Sequence, residues 1–182
     1  FSRVGAFWRA GEQTTRETSD QTTKEGRNMF VADCLQVNKQ GHLCMEELDV
    51  LELAAKYGTP LYVMSETQIR KNCRMYQDSL KRFYGGNGLA LYASKAFCCK
   101  EICRIAAQEG MGLDVVSGGE LYTAVSAGFS PEKIYFHGNN KTAPELVAAL
   151  EQKVGTIVVD NLEELEMLDR LAGAQNIHQQ IM

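Results

Sequence analysis

Three polar residues stand where burial alone would not put them. Lys95 follows the short apolar run Leu89-Ala-Leu-Tyr-Ala-Ser94. In an extended strand Leu89, Leu91, Ala93 and Lys95 share one face, because side chains alternate with a period of two. An ammonium ending such a row must pair, reach water or lose its proton. A desolvated lysine is a nucleophile suited to a Schiff base, whereas a lysine that has reached a solvated loop is a plain surface charge. Residue 95 is open to both readings. Asp114 lies inside Gly-Leu-Asp-Val-Val, where a buried carboxylate needs a partner. If consecutive strands are neighbours, it shares a sheet end with Lys95, so a functional carboxylate and a structural ion pair fit equally. His137 closes Lys-Ile-Tyr-Phe-His and opens the turn Gly138-Asn139-Asn140-Lys141. It reads as a structural residue or as a catalytic one.

The elements that would position these groups follow a rhythm. Apolar runs start at Leu61, Leu89, Gly112, Lys133 and Gly155, at intervals of 28, 23, 21 and 22 residues. Each is too short for a helix and rich in Val, Ile, Leu and Tyr, which predicts buried strands. Helical patterns fill the gaps. Ile69, Cys73, Tyr76, Leu80 and Phe83 repeat at one helical face, and Leu162, Leu165, Leu168 and Ala172 do so later. Ser65 with Gln68, Ser117 with Glu120, and Thr142 with Glu145 fit the capping box that starts a helix. Lys95, Asp114 and His137 therefore fall at strand carboxyl ends, where α/β proteins place their sites. Ser117-Gly118-Gly119 could offer backbone N–H groups to an anion, but the capping box accounts for the same residues.

Five β-α units imply an α/β fold with a parallel sheet and helices outside. An open doubly wound sheet and a piece of an eight-stranded barrel both fit the periodicity. The first run, from Leu61, is followed by Ser65-Glu66-Thr67-Gln68 and not by a glycine-rich loop, so a dinucleotide site is not expected. Upstream, residues 30–50 predict two strands about a turn at Gln40-Gly41. A helix then ends at Gly58, with Pro60 just beyond. From Gly11 to Asn28 there is no hydrophobic residue, and the first methionine is Met29. Residues 1–28 are expected to be a disordered or foreign leader, with the natural start at Met29.

Composition excludes several classes. The 182 residues carry 19 Lys plus Arg against 23 Asp plus Glu, a net charge of −4 with 45% hydrophobic residues. A disordered chain, a collagen-like chain and a basic nucleic-acid module are ruled out, and nothing suggests nucleic acid or membrane as a partner. No apolar run approaches the ~20 residues of a membrane span, and no signal-peptide core is visible. Cysteines at 34, 44, 73, 98, 99 and 103 show no framework spacing. Reduced thiols and a cytoplasmic location are expected. Cys98, Cys99 and Cys103 lack a Cys-x-x-Cys pair and a nearby His, so no metal site is expected.

Three blocks carry a family likeness: Tyr92-Ala93-Ser94-Lys95-Ala96, Gly112-Leu113-Asp114-Val115-Val116-Ser117-Gly118-Gly119-Glu120-Leu121, and Phe136-His137-Gly138-Asn139-Asn140-Lys141. They resemble the diaminopimelate decarboxylase family, pyridoxal 5'-phosphate enzymes of the alanine-racemase-like barrel class related to ornithine and arginine decarboxylases. The resemblance runs from about Phe30 to Leu171. It implies a partial pyridoxal-binding (β/α)8 TIM barrel of five to six β-α units over residues 51–182. Residues 29–50 would be a short β segment of a separate β-domain.

The resemblance further implies that Lys95 forms the Schiff base with pyridoxal phosphate and that Asp114 lies in the cofactor pocket. His137 and Asn139-Asn140 would line the barrel mouth. The implied reaction is decarboxylation of meso-2,6-diaminopimelate to L-lysine and CO2 in lysine biosynthesis, by a homodimer. Alternatives are a decarboxylase of carboxynorspermidine or arginine, a racemase, a non-catalytic truncated or binding product, or a complete open-sheet domain for a phosphorylated ligand. The family's later strands, glycine-rich phosphate turns, Glu-Pro-Gly-Arg motif and C-terminal cysteine do not occur in these residues. The 182 residues alone are therefore expected to be inactive and prone to aggregate.

Overall fold

The computed structural model describes residues 33–182. The leader and start site expected over residues 1–29 lie outside the described residues. The chain forms two compact units that divide after Ile69.

In the first unit, β1 (Leu35–Val37), β2 (Leu43–Met45) and β3 (Leu48–Asp49) form an antiparallel sheet in that order. The turn expected at Gln40-Gly41 is held by Asn38, whose Oδ1 accepts from the N–H groups of Gln40 and His42. Gly41 supplies the left-handed conformation there, with φ 81°. The third strand was not legible, since two residues carry no periodicity. Helix α1 (Val50–Tyr57) starts where Asp49 accepts from the Leu51 N–H at 2.8 Å and ends at Gly58 as expected. The run Leu61–Met64 corrects the sequence expectation: it forms no strand. An apolar run becomes a strand only with a hydrogen-bonded neighbour, and this one has no ladder among the described residues.

Helix α2 (Glu66–Tyr84) starts as the capping pattern predicts, with Ser65 Oγ accepting from the Gln68 N–H at 3.0 Å. Its periodic face is less buried than the pattern suggests. Cys73 is buried, while Tyr76 and Phe83 are 57% and 69% exposed.

The second unit alternates strand and helix: β4 (Leu91–Ala93), α3 (Lys100–Gln108), β5 (Gly112–Val115), α4 (Gly118–Ser126), β6 (Ile134–Phe136), α5 (Ala143–Glu151), β7 (Thr156–Ile157) and α6 (Leu162–Gln175). The strands are parallel and lie in the order β4-β5-β6-β7. A doubly wound sheet reverses its strand order at a switch point; this one does not. Ile181 extends it in the same direction by pairing parallel with Ile157, so the sixth run has begun. Sequential order is that of a barrel.

Strand side chains make the core. Leu113, Val115, Ile134, Phe136 and Ile157 are fully buried with Ile105, Leu146 and Leu150 from the helices. Each such burial contributes roughly 1.5–3 kcal/mol. The face of α6 departs from expectation: Leu162 is 76% exposed, and the buried row is Glu164, Leu168 and Ala172. A glutamate inside that row needs a partner, which Lys141 provides. No helix among the described residues is long and apolar enough to cross a membrane, and all six cysteines are free thiols.

Candidate active site

Strand β4 stops at Ala93, and Ser94–Ala96 turn into a single 3-10 turn. That turn ends the alternation which would have set Lys95 in a row with Leu91, so Lys95 is exposed rather than desolvated. Its backbone is nonetheless held tightly. Ser94 is fully buried, and its hydroxyl lies 2.8 Å from both the Asp114 carbonyl and Glu120 Oε2. One hydroxyl proton is shared between those two acceptors. On the far side of the turn, Tyr92 Oη donates to the Phe97 carbonyl at 2.9 Å.

The register carries this geometry across the sheet. Ala93 pairs with Asp114, and Val115 pairs with Phe136. Lys95, Asp114 and His137 therefore stand at the carboxyl ends of three successive neighbouring strands. Asp114 forms no salt bridge with Lys95, contrary to one of the two readings its spacing allowed. It faces His137 instead, with Nδ1 4.0 Å from Oδ1. The ring of His137 is largely exposed, and its backbone N–H donates to the Val115 carbonyl at 2.8 Å. Burial pushes the Asp114 carboxyl up from its ordinary value; the charges of His137 and Lys95 oppose that shift, and Glu120 adds to it.

Glu120 was legible only as a capping residue. The structure gives it a different job. Ser117 Oγ does accept from the Glu120 N–H, at 3.3 Å. The Glu120 carboxylate, however, takes the Val116 N–H at 2.7 Å and the Ser94 hydroxyl. It so links the end of β5 to the residue before Lys95. The Thr142–Glu145 box forms in full, and Glu145 Oε1 also accepts from the Gly118 N–H at 2.8 Å. That bond ties the starts of α4 and α5 together. Burial pushes the Cys103 thiol up to about 12, so it stays protonated. Among the described residues no group of three or more His, Cys, Asp or Glu side chains could hold a metal ion.

A reachable primary amine on a rigid turn, beside a carboxyl and an imidazole, suits a carbonyl compound held at the mouth of a β-α barrel. Comparison with known proteins makes the class specific. Residues 66–182 match the pyridoxal binding domain of the pyridoxal-dependent decarboxylases, and the chain belongs to that family. Over 154 residues it is 46% identical to diaminopimelate decarboxylase of Bacillus methanolicus, covering 85% of this chain and 35% of that protein. Over 146 residues it is 49% identical to the Bacillus subtilis (strain 168) diaminopimelate decarboxylase, covering 79% and 32%. A crystal structure of M. jannaschii diaminopimelate decarboxylase in co-complex with L-lysine superimposes with a TM-score of 0.75 at 38% identity, covering 82% of this chain and 35% of that one. The chain spans about a third of the length of these relatives.

The resemblance carried by the three sequence blocks is thus borne out, and so is the fold: the β-α units are the N-terminal part of a pyridoxal-binding barrel. The cofactor of this domain family is pyridoxal phosphate. The donor set fits it, since Lys95 offers an exposed amine for the aldehyde, and Asp114 offers a half-buried carboxyl that feels the lysine's charge.

Proposed function

We propose that the full-length protein containing this chain decarboxylates meso-2,6-diaminopimelate to L-lysine and CO2. When bound, pyridoxal phosphate would supply an electron-poor ring for the electron pair that decarboxylation leaves. The chain's own residues hold and orient. Lys95 would hold the cofactor through its aldehyde, and the Ser94 contacts to Asp114 and Glu120 fix the backbone from which it reaches. Asp114 offers its carboxyl to the charged groups of the pocket, and His137 lines the adjoining side. The observation that carries this reading is the placing of an amine, a carboxyl and an imidazole at three neighbouring strand ends of a pyridoxal-binding domain.

The substrate rests on the relatives, which are diaminopimelate decarboxylases, one of them solved with L-lysine. Residues 29–50 belong, in the same reading, to a separate β-domain and residues 51–182 to the barrel. The active protein is a cytoplasmic homodimer, which sedimentation and cell fractionation test.

The decisive experiment loads the full-length protein with pyridoxal phosphate, reduces it with borohydride and maps the modified peptide. The label is expected on Lys95. Lys95→Ala should lose the label and fall at least about a thousandfold in L-lysine formation, the scale on which covalent and acid-base groups act, with the melting temperature of the cofactor-free protein unchanged. A label on another lysine, or turnover retained by the variant, would refute the reading.

A further inference from the structure

We infer that Lys141 and Glu164 form a buried clamp that positions the His137 turn at the barrel mouth. The inference rests on the proposed function for its catalytic consequence; the clamp itself is a matter of geometry. The Lys141 side chain is 0% exposed and that of Glu164 4%. The ammonium donates to the carbonyl oxygens of Gly138 at 2.6 Å and Val158 at 2.8 Å. It also lies 2.9 Å from Glu164 Oε1 and 6.0 Å from the centre of the Phe136 ring.

The three oxygen atoms come from three segments: the turn after β6, the segment after β7 and the first turn of α6. Lys141 therefore closes its own turn into a ring and fastens the carboxyl ends of β6 and β7 together. His137 immediately precedes the clamped Gly138. From the other side the turn presses on β5. Gly138 has φ 116°, and a Cβ there would lie 3.2 Å from the Val116 carbonyl oxygen. The His137 N–H is spent on Val115. The direction of the imidazole toward Asp114 is so set by β5 on one side and by Lys141 on the other.

Stability alone does not call for this pair. Taking two charges out of water is costly, and apolar residues of similar volume commonly replace a buried ion pair without loss. An apolar pair would fill the volume but would leave the Gly138 and Val158 carbonyls untethered. The positioning role separates from a structural one on that point.

The test uses the full-length holoenzyme with Lys141→Met combined with Glu164→Leu, and separately Glu164→Gln, which keeps the lysine. Hydrogen-exchange mass spectrometry follows the turn, residues 137–142, against the β6 core, residues 134–136. In the double variant the turn should exchange about tenfold faster while the β6 core stays protected. Its kcat should fall at least about tenfold with KM little changed, since small displacements near reacting atoms are costly. Glu164→Gln should shift both readouts in the same direction by less. Folded variants with normal turn exchange and normal kcat would overturn the inference. So would loss of β6 core protection in both variants, which would mark the pair as structural. If the unmutated protein does not decarboxylate diaminopimelate, the proposed function falls, yet the exchange comparison still decides the clamp.

Discussion

Strand β5 begins with Gly112 and Gly155 immediately precedes β7, and both glycines are closed in by their neighbours. A Cβ on Gly112 would lie 2.5 Å from Leu91 Cδ2 and 3.0 Å from the Lys133 carbonyl oxygen; one on Gly155 would collide with the Glu132 carbonyl. At the other end of the same sheet stand Lys95, Asp114, His137 and the buried Lys141–Glu164 pair. The amino ends are held by close contacts at these two glycines. The carboxyl ends are held by side-chain hydrogen bonds between successive loops, and there the reactive groups are open to the mouth. A sheet so divided can keep its frame rigid at one end while its loops carry the chemistry at the other, as barrel enzymes do.

The comparison breaks most sharply at Gly155. Gly155→Ala should cost about 1–3 kcal/mol through overpacking against immovable backbone. Chemical denaturation checks the loss, and borohydride labelling of the surviving folded fraction should still find Lys95. Retained stability would mean that the amino end yields more than its geometry implies.

Glu145 sharpens the contrast, because it lies at the carboxyl-end side yet serves the frame. Glu145→Ala should cost about 1 kcal/mol, the usual scale of a helix cap. The N–H of Thr142, then that of Gly118, then the Thr142 hydroxyl hold its carboxyl below the ordinary glutamate range. That stabilisation is present above the ordinary range and is lost as pH falls through the lowered value in the fold. The difference between wild type and variant should therefore shrink in acid, as measured by thermal melts across pH.

Asp114 should show the smallest effect, and of opposite sign. Burial raises its carboxyl above the ordinary range despite His137 and Lys95, so its ionised form costs the fold something near neutral pH. Asp114→Asn should raise the melting temperature slightly near neutrality and not in acid, where both states are already protonated. On the proposed function, L-lysine formation by the full-length protein should fall at the same time. A variant that lost stability near neutrality would show that the pairing with His137 outweighs burial.

Much of the frame was legible along the chain. Strands β5, β6 and β7, which start within a residue of the runs at Gly112, Lys133 and Gly155, were readable because buried strands are short apolar runs between helices. The caps at Ser65 and Thr142 follow from side chains that reach only three residues. Leu61–Met64 was misread because the partner that makes a strand is not in the run itself. On α6 the apolar period pointed to Leu162, where the fold buries Glu164. In the site, Lys95, Asp114 and His137 stood out as polar groups ending apolar runs. Ser94, Glu120 and Glu164 did not, since these partners lie 20 or more residues away.

By itself the sequence determined the β-α alternation, the helix starts and the polar residues at strand ends, all of which depend on neighbours a few residues apart. Only the tertiary structure decided what those residues do to one another. The parallel register set Asp114 opposite Ala93 and turned it toward His137; the 3-10 turn at Ser94–Ala96 exposed Lys95; and packing of α6 brought Glu164 to Lys141. Such contacts join segments distant in sequence, and their energies exist only once the sheet has brought those segments together.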